Sequence, residues 1–515
     1  MKFSILYREP EKSGRGEVFD LAYELSLDRA VRKLIPDTRR ADYFLGVLTR
    51  PLTDVASIVY RQQILRDFID FPDLYDELRT LFSRYDRVRA DWQGMRSGAH
   101  PQSGAINRRA LLDYTFASLK VTAMFPKTLL SFYTSFADAI DKYEVQSEGL
   151  KRIAEYCREM LENDSLNEIE RISALFRYKT PKDFEFSSLA ELDQAIRLVS
   201  CDLCGIEEID DKPINPLVKL FTRKKTGETP VFDIESDEAT VDDALYISNE
   251  SLRRIDAALT AVTGGIYDVF FGLSTEIVFY DAALEIIRSL DELNIDFVFP
   301  SVFPPEDDGF RLLSLRDFSL IIEGKTGDDI IPRDAALMKS SDGFLIHGKS
   351  NTGKTSLLRG IAIAHIFAQA GLPVTAKTAE LSIRRGLYAH FSSAEEDFRA
   401  GDTAGRFEGE VQQMARIIDG VEDHPYSLIL LNETFQTTSY SEGAEGMWDI
   451  LDTLHLVRAK YIFVTRMNKM FDFIDRDRVG TVEMTTEFPR FQNPAELSGA
   501  AAQEHPAYIE GKTEQ

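Results

Sequence analysis

Nine residues, Gly348-Lys349-Ser350-Asn351-Thr352-Gly353-Lys354-Thr355-Ser356, constrain the fold more than any other stretch of the chain. They fit the pattern G-x-x-x-x-G-K-[ST]. A short apolar run, Phe344-Leu345-Ile346-His347, precedes them, and a helical pattern from Leu357 to Ala370, stopped by Gly371 and Pro373, follows. Strand, glycine-rich loop and helix in that order make a phosphate loop. The loop N–H groups and the positive helix end converge on an anion, and the glycines keep Cβ atoms out of its way. The spacing assigns Lys354 to the β- and γ-phosphates and Thr355 to magnesium, with Gly348, Asn351, Gly353 and Ser356 completing the cradle. The ligands implied are ATP and Mg2+, and the fold implied is an α/β domain.

Such a loop needs an acidic partner strand. Tyr426-Ser427-Leu428-Ile429-Leu430-Leu431-Asn432-Glu433 supplies the candidate, since four consecutive aliphatics suit a parallel strand buried on both faces. Glu433 stands where a carboxylate would polarise an attacking water. Asn432 occupies the position at which an aspartate usually holds magnesium, directly or through water; it can accept a hydrogen bond but brings no charge to the cation.

With 515 residues the chain is long enough for two to four domains. From Ala41 to Ile209 the apolar spacing is helical, as in Ile58, Leu65, Phe68 and Ile69 on one face, with Pro72 opening the next helix. Tyr143 to Leu175 reads as a long, heavily charged helical stretch, a candidate lever, with Leu150, Ile153, Tyr156, Cys157 and Met160 in a stripe. Leu217 to Thr222 and Thr229 to Ile234 are strand-like around a basic turn, Arg223 to Glu228, which is either a solvated tip or one that touches phosphate. Helix returns from Ser251 to Leu293, and Pro300 to Pro305 marks a boundary. The expected organisation is an N-terminal segment (1–40), a mainly α-helical core and lever region (41–305) with a hairpin near 217–234, an α/β ATPase domain (306–488), and a loosely ordered tail (489–515).

Three cysteines, Cys157, Cys201 and Cys204, are too few to staple such a chain, which fits a reducing compartment. Cys201-Asp202-Leu203-Cys204 has zinc-like or redox-like spacing without a second ligand pair, and otherwise reads as a helix end with half-buried thiols. The apolar runs are too short to span a bilayer, and the N-terminus meets Arg8 and Glu9 before a secretory signal could form, so the expected address is cytoplasmic. A net charge of −25 disfavours a surface that attracts nucleic acid on average, while leaving a local basic channel open.

Taken with the phosphate loop, several further segments resemble the MutS family of DNA mismatch repair ATPases. In the helical half these are Leu48-Thr49-Arg50-Pro51-Leu52-Thr53-Asp54, Ile58, Arg61-Gln62, Phe71-Pro72-Asp73-Leu74, and Phe279-Tyr280-Asp281 through Phe299-Pro300. Farther on they are Gly371 to Ile383 after the phosphate-loop helix, and Gly405 to Ile418 in the region of the family's signature helix. The resemblance implies an ABC-type ATPase domain that dimerises around two ATP molecules, each signature helix facing the partner's γ-phosphate. Here Gly405-Arg406 replaces the family's Ser-Thr pair, leaving the helix N-terminus and the Arg406 charge to act there. The helix carries Phe407, Val411, Met414, Ile417 and Ile418 as a stripe. Arg466 replaces the histidine that senses the γ-phosphate; it can contact a phosphate but cannot carry a proton. Thr434-Phe435-Gln436-Thr437 replaces a glycine-rich start of the D-loop, which Thr438-Ser439 and Gly443 otherwise resemble.

Family members that read mismatches carry recognition and connector domains ahead of the core. The segment before Ala41 is too short for either, and the C-terminal dimerisation helices look eroded. The expectation is a bound nucleotide with attenuated hydrolysis in a homodimer. Two outputs stay open: a DNA clamp that does not read mismatches, or a nucleotide-gated switch for an unknown protein partner that does not touch DNA. No membrane partner is expected.

Overall fold

The computed structural model describes residues 3–9, 21–98, 108–177, 184–192, 198–208, 238–391, 406–435, 440–484 and 490–491. Two compact units emerge, neither continuous in sequence. One comprises Met1–Phe3, Phe71–Val145 and Leu150–Thr275; the other comprises Ser4–Asp70, Gln146–Gly149 and Glu276–Gln515. Residues 41–70 and 276–305, which the sequence groups with the helical region, thus belong with the α/β part.

The first unit is built largely from helices, among them Pro72–Gly98, Arg108–Ala123, Pro126–Lys142, Asp164–Arg177 and the amino-terminal part of Glu238–Glu292. Proline opens two of them, where its missing N–H costs nothing. Phe116, Leu119, Phe176, Leu252 and Leu259 form one apolar core. An aromatic cluster gathers around Phe270, whose ring meets that of Tyr133 edge-on at 5.2 Å.

Two expectations need correction here. The helical stretch from Tyr143 to Leu175 is no continuous lever: it is divided at Asn163 into two helices, Glu148–Glu162 and Asp164–Arg177. The helical reading to Ile209 also fails, because β1 (Phe184–Leu192) and β2 (Leu198–Glu208) pair antiparallel with Phe186 opposite Ile206. Cys201-Asp202-Leu203-Cys204 therefore lies within a strand and not at a helix end. Irregularities at Ser187/Ser188 and Glu191/Leu192 interrupt the period-two alternation that would have marked β1 in the sequence. The hairpin expected at 217–234 lies outside the described residues, as does the tail beyond Phe491.

The second unit holds two sheets. Its strands in chain order are β3 (Ser301–Phe303), β4 (Phe310–Leu315), β5 (Arg333–Leu337), β6 (Gly343–Gly348), β7 (Thr378–Ser382), β8 (Leu387–Phe391), β9 (Leu428–Asn432), β10 (Lys460–Val464), β11 (Val479–Met484) and β12 (Arg490–Phe491). Six of them form a sheet in the order β12-β11-β6-β10-β9-β8, parallel except for β12. Every residue of β9 and β10 is buried, as a parallel strand covered on both faces requires. The other four make a mixed sheet, β3-β7-β4-β5. The helix Lys354–Gln369 follows β6 and packs against β4, β6, β9 and β10.

The far end of that helix is anchored by a fully buried arginine. Arg61 donates through Nη1 to the Ala370 carbonyl at 3.0 Å and through Nε and Nη2 to the Leu6 carbonyl at 3.1 and 3.0 Å. Glu276 accepts from the Ser4 hydroxyl and the Ile5 N–H at 2.8 and 2.7 Å, so residues 4–6 are pinned from two sides. Gly371, with φ +77°, leaves no room for a Cβ against the Arg61 side chain. Among the described residues, no helix is long and apolar enough to cross a membrane.

Arg61→Ala should strand two buried carbonyls and open a cavity, lowering stability by about 3 kcal/mol or more. The check is a urea titration, in which the transition of the α/β unit moves to lower denaturant.

Candidate functional site

Strand register assembles the site. Val464 of β10 stands opposite Asn432 of β9 on one side and Ile346 of β6 on the other. Asn432 and Val464 end their strands level with each other, and β6 runs two residues farther, to Gly348, before its loop begins at the same carboxyl edge. On this edge the sheet presents the loop from Gly348, the pair Asn432-Glu433, and Thr465-Arg466. Ligands of open α/β sheets bind at carboxyl edges of this kind.

The loop has the conformation its residues require. Gly348 sits at φ +136°, and a Cβ there would lie 2.3 Å from the Met484 carbonyl of β11. Asn351 is left-handed at φ 61°, and Gly353 at φ +87° occupies the N-cap of the following helix. Lys354 is buried and folds back over the loop, its Nζ donating to the carbonyls of Gly348 at 2.9 Å and Lys349 at 2.7 Å. Burial pushes its pKa down, the Arg466 charge adds to that, and Glu433 opposes it. The ammonium is thus held against the carbonyls that open the loop.

Thr355 Oγ1 donates to Asn432 Oδ1 at 3.1 Å. The two oxygens expected to serve magnesium are therefore adjacent, and both are of the hard type that this cation accepts. Both are neutral, so the protein supplies little charge to a cation there.

Glu433 lies on a strained turn. It is left-handed at φ 55°, and so is Phe435 at φ 63°, a conformation in which non-glycine residues are uncommon. Two bonds hold this turn: the Glu433 N–H donates to the Val464 carbonyl at 2.8 Å, and the Phe435 N–H donates to Glu410 Oε2 at 3.0 Å. Glu410 is buried on the helix Arg406–Asp423. The Glu433 carboxylate itself pairs with Arg466, Oε1 to Nε at 2.7 Å.

Of the residues singled out by sequence, Gly348, Asn351, Gly353, Lys354, Thr355, Asn432, Glu433 and Arg466 come together at this edge. Ser356 lies one helical residue farther along, on the wall of a neighbouring cavity. Gly405 lies outside the described residues, as does the side chain of Arg406. In the signature-helix stripe, Met414 and Ile417 are buried whereas Val411 is exposed.

Three contributors escaped the sequence reading. Arg333 of β5 donates through Nη2 to the Thr352 carbonyl at 3.1 Å, bracing the loop from behind. Glu410 braces the Glu433 turn. Ile330 and Ile331, with Arg333 and Asn351, line a cavity of about 250 Å3 beside the loop. None of these carries a local motif; only the apolar run ahead of Pro332 could have drawn attention.

Gly348→Ala should cost at least about 2 kcal/mol through its clash with β11. Gly353→Ala would place its methyl group in ordinary contact with the Arg333 guanidinium, 3.5 Å from Nη2, and should cost only about 1 kcal/mol in backbone strain. Thermal unfolding of the two variants measures the difference.

Two family models match the chain: the MutS2 N-terminal domain over residues 53–293, and MutS domain V over residues 344–491. Among similar proteins, a DNA mismatch repair protein MutS from Microcystis aeruginosa is 22% identical over 82% of this chain and 49% of its own length. Another, from Granulibacter bethesdensis, is 31% identical over 27% of this chain and 15% of its own. The DNA mismatch repair protein MSH2 of Zea mays is 24% identical over 42% of this chain and 23% of its own. The chain spans half or less of the length of these curated relatives. Helices followed by a parallel-sheet α/β region, each part matching a MutS-family domain, identify the chain as a member of the MutS family.

Proposed function

We propose that this chain binds ATP with Mg2+ at the Gly348–Ser356 loop and hydrolyses it slowly. The observation that carries the reading is the 3.1 Å contact between Thr355 and Asn432, with Lys354 and Glu433 at the same edge. Lys354 would leave its loop carbonyls for the β- and γ-phosphates, and Arg333 would keep the Thr352 peptide in place beneath them. The cavity beside Ile330 and Ile331 would take the nucleoside. Thr355 and Asn432 would hold magnesium, which supplies charge neutralisation between the β- and γ-phosphates when bound. Glu433 would orient a water and take its proton as the water oxygen bonds to the γ-phosphorus and the bond to the ADP oxygen breaks.

Slow turnover follows from the site's charges. Asn432 brings no carboxylate to the cation, and Arg466 cannot shuttle a proton as a histidine could. Lys354→Ala should weaken ATP binding by about tenfold or more, and Glu433→Gln should lower phosphate release by about a hundredfold. Asn432→Asp should raise turnover. Phosphate-release kinetics on the four proteins measure all three effects. Unchanged turnover in Glu433→Gln would remove Glu433 as the base.

The family resemblance supports a homodimer closed by two nucleotides, with Gly405 and Arg406 of one protomer facing the partner's γ-phosphate. Closure would move the helical region, because ATP favours the closed arrangement only through contacts that ADP lacks. The names of the relatives point to DNA, and the output would then be a clamp on DNA made without reading mismatches. The net charge of −25 supports the second reading, a nucleotide-gated switch for a protein partner that makes no DNA contact. A gel shift at low salt with ATP and branched, single-stranded and duplex DNA separates the two. A clamp gives a salt-sensitive shift, and the switch gives none on any of the three.

A further inference from the structure

The partner of Glu433 is the least expected feature of the site. A carboxylate placed to activate water has one oxygen held by a guanidinium, 2.7 Å from Arg466 Nε. The backbone at Glu433 is fixed independently, through the Val464 carbonyl and, two residues on, through Glu410. Arg466 therefore acts on the side chain alone, and moving it leaves the turn in place.

Three features make this arginine exchangeable. Its side chain is 48% exposed, and it grips the carboxylate through Nε, which leaves its two Nη groups to reach another anion. Half-exposed ion pairs are weak, so breaking this one costs at most about fivefold in affinity. The arginine also follows β10, whose Val464 is level with Ile346 of the strand that leads into the phosphate loop, so it already stands at the edge where a γ-phosphate would lie. A phosphate carries more charge than a carboxylate and accepts a guanidinium in the same forked geometry.

We propose that Arg466 is a positioning residue that exchanges partners: it holds the Glu433 carboxylate when no γ-phosphate is present and transfers to the γ-phosphate when ATP binds. The exchange rests on the ATP-site reading above. It makes the base available only beside a complete triphosphate. ADP offers no γ-phosphate and leaves the pair closed. The same residue thus reports which nucleotide is bound and releases the group that acts on it. Glu410 supports the exchange by holding the turn while the side chain changes partner.

The test is equilibrium binding of a nonhydrolysable ATP analogue and of ADP, with magnesium, to the full chain as wild type, Arg466→Ala, Glu433→Gln and the double variant. Exchange predicts ADP affinities within about twofold of one another, which also shows that each variant keeps its site. Arg466→Ala should lose about tenfold or more in analogue affinity. The effects of the two substitutions on the analogue should be non-additive by roughly three- to fivefold, since only the wild type must break the pair. Equal losses for analogue and ADP in Arg466→Ala, or strictly additive effects on the analogue, would overturn the exchange while leaving the ATP site standing. Failure of the wild type to bind either nucleotide would overturn the ATP-site reading and the exchange with it.

Discussion

The parallel register of β6, β10 and β9 is the constraint on which the site depends. Because Val464 is level with both Asn432 and Ile346, the chain leaves β9 and β10 side by side, and β6 delivers its loop at the same edge two residues farther on. Burial of both faces of β9 and β10 makes this register expensive to shift, since a slip by one residue would exchange the environments of every side chain. Placement of Lys354, Asn432, Glu433 and Arg466 at one edge is therefore a property of the apolar strands. The polar residues proposed to do the chemistry contribute little to that placement.

The loop is secured from two further directions. Gly348 has its backbone against β11 so closely that only glycine fits, and Arg333 takes up the Thr352 carbonyl from β5. At the other end of the loop helix, Arg61 ties the Ala370 carbonyl to residues 4–6. Movement of the helix Lys354–Gln369 along its axis would have to break that bond, so a change at the phosphate end has a defined mechanical neighbour at the opposite end.

Much of this edge was legible in the sequence because its signals are local. The phosphate loop has a fixed spacing, and the run Leu428 to Leu431 announces a buried strand within a few residues. What escaped depends on contacts between distant residues. Arg466 and Glu433 meet only because two strands share a register, and their separation in sequence hides the pair. Arg333 and Glu410 brace backbone groups, which leaves no pattern in their own neighbourhoods. The strands β1 and β2 were missed for another reason, since irregularities at Ser187/Ser188 and Glu191/Leu192 break the alternation by which a strand is recognised. The long helix Glu238–Glu292 begins well ahead of Ser251 and continues through Gly264-Gly265, which propensity alone would treat as a weak point.

On the proposed reading, the pairing of Glu433 with Arg466 leaves the site equipped to hold a triphosphate and restrained in using it. A crystal structure with a nonhydrolysable ATP analogue and magnesium tests this most directly. The γ-phosphate is expected between Lys354 and Arg466, with the Arg466 guanidinium beyond about 4 Å from Glu433, outside ion-pair range. A nucleotide bound in the loop with Arg466 still on Glu433, or electron density for nucleotide at some other place, would contradict it.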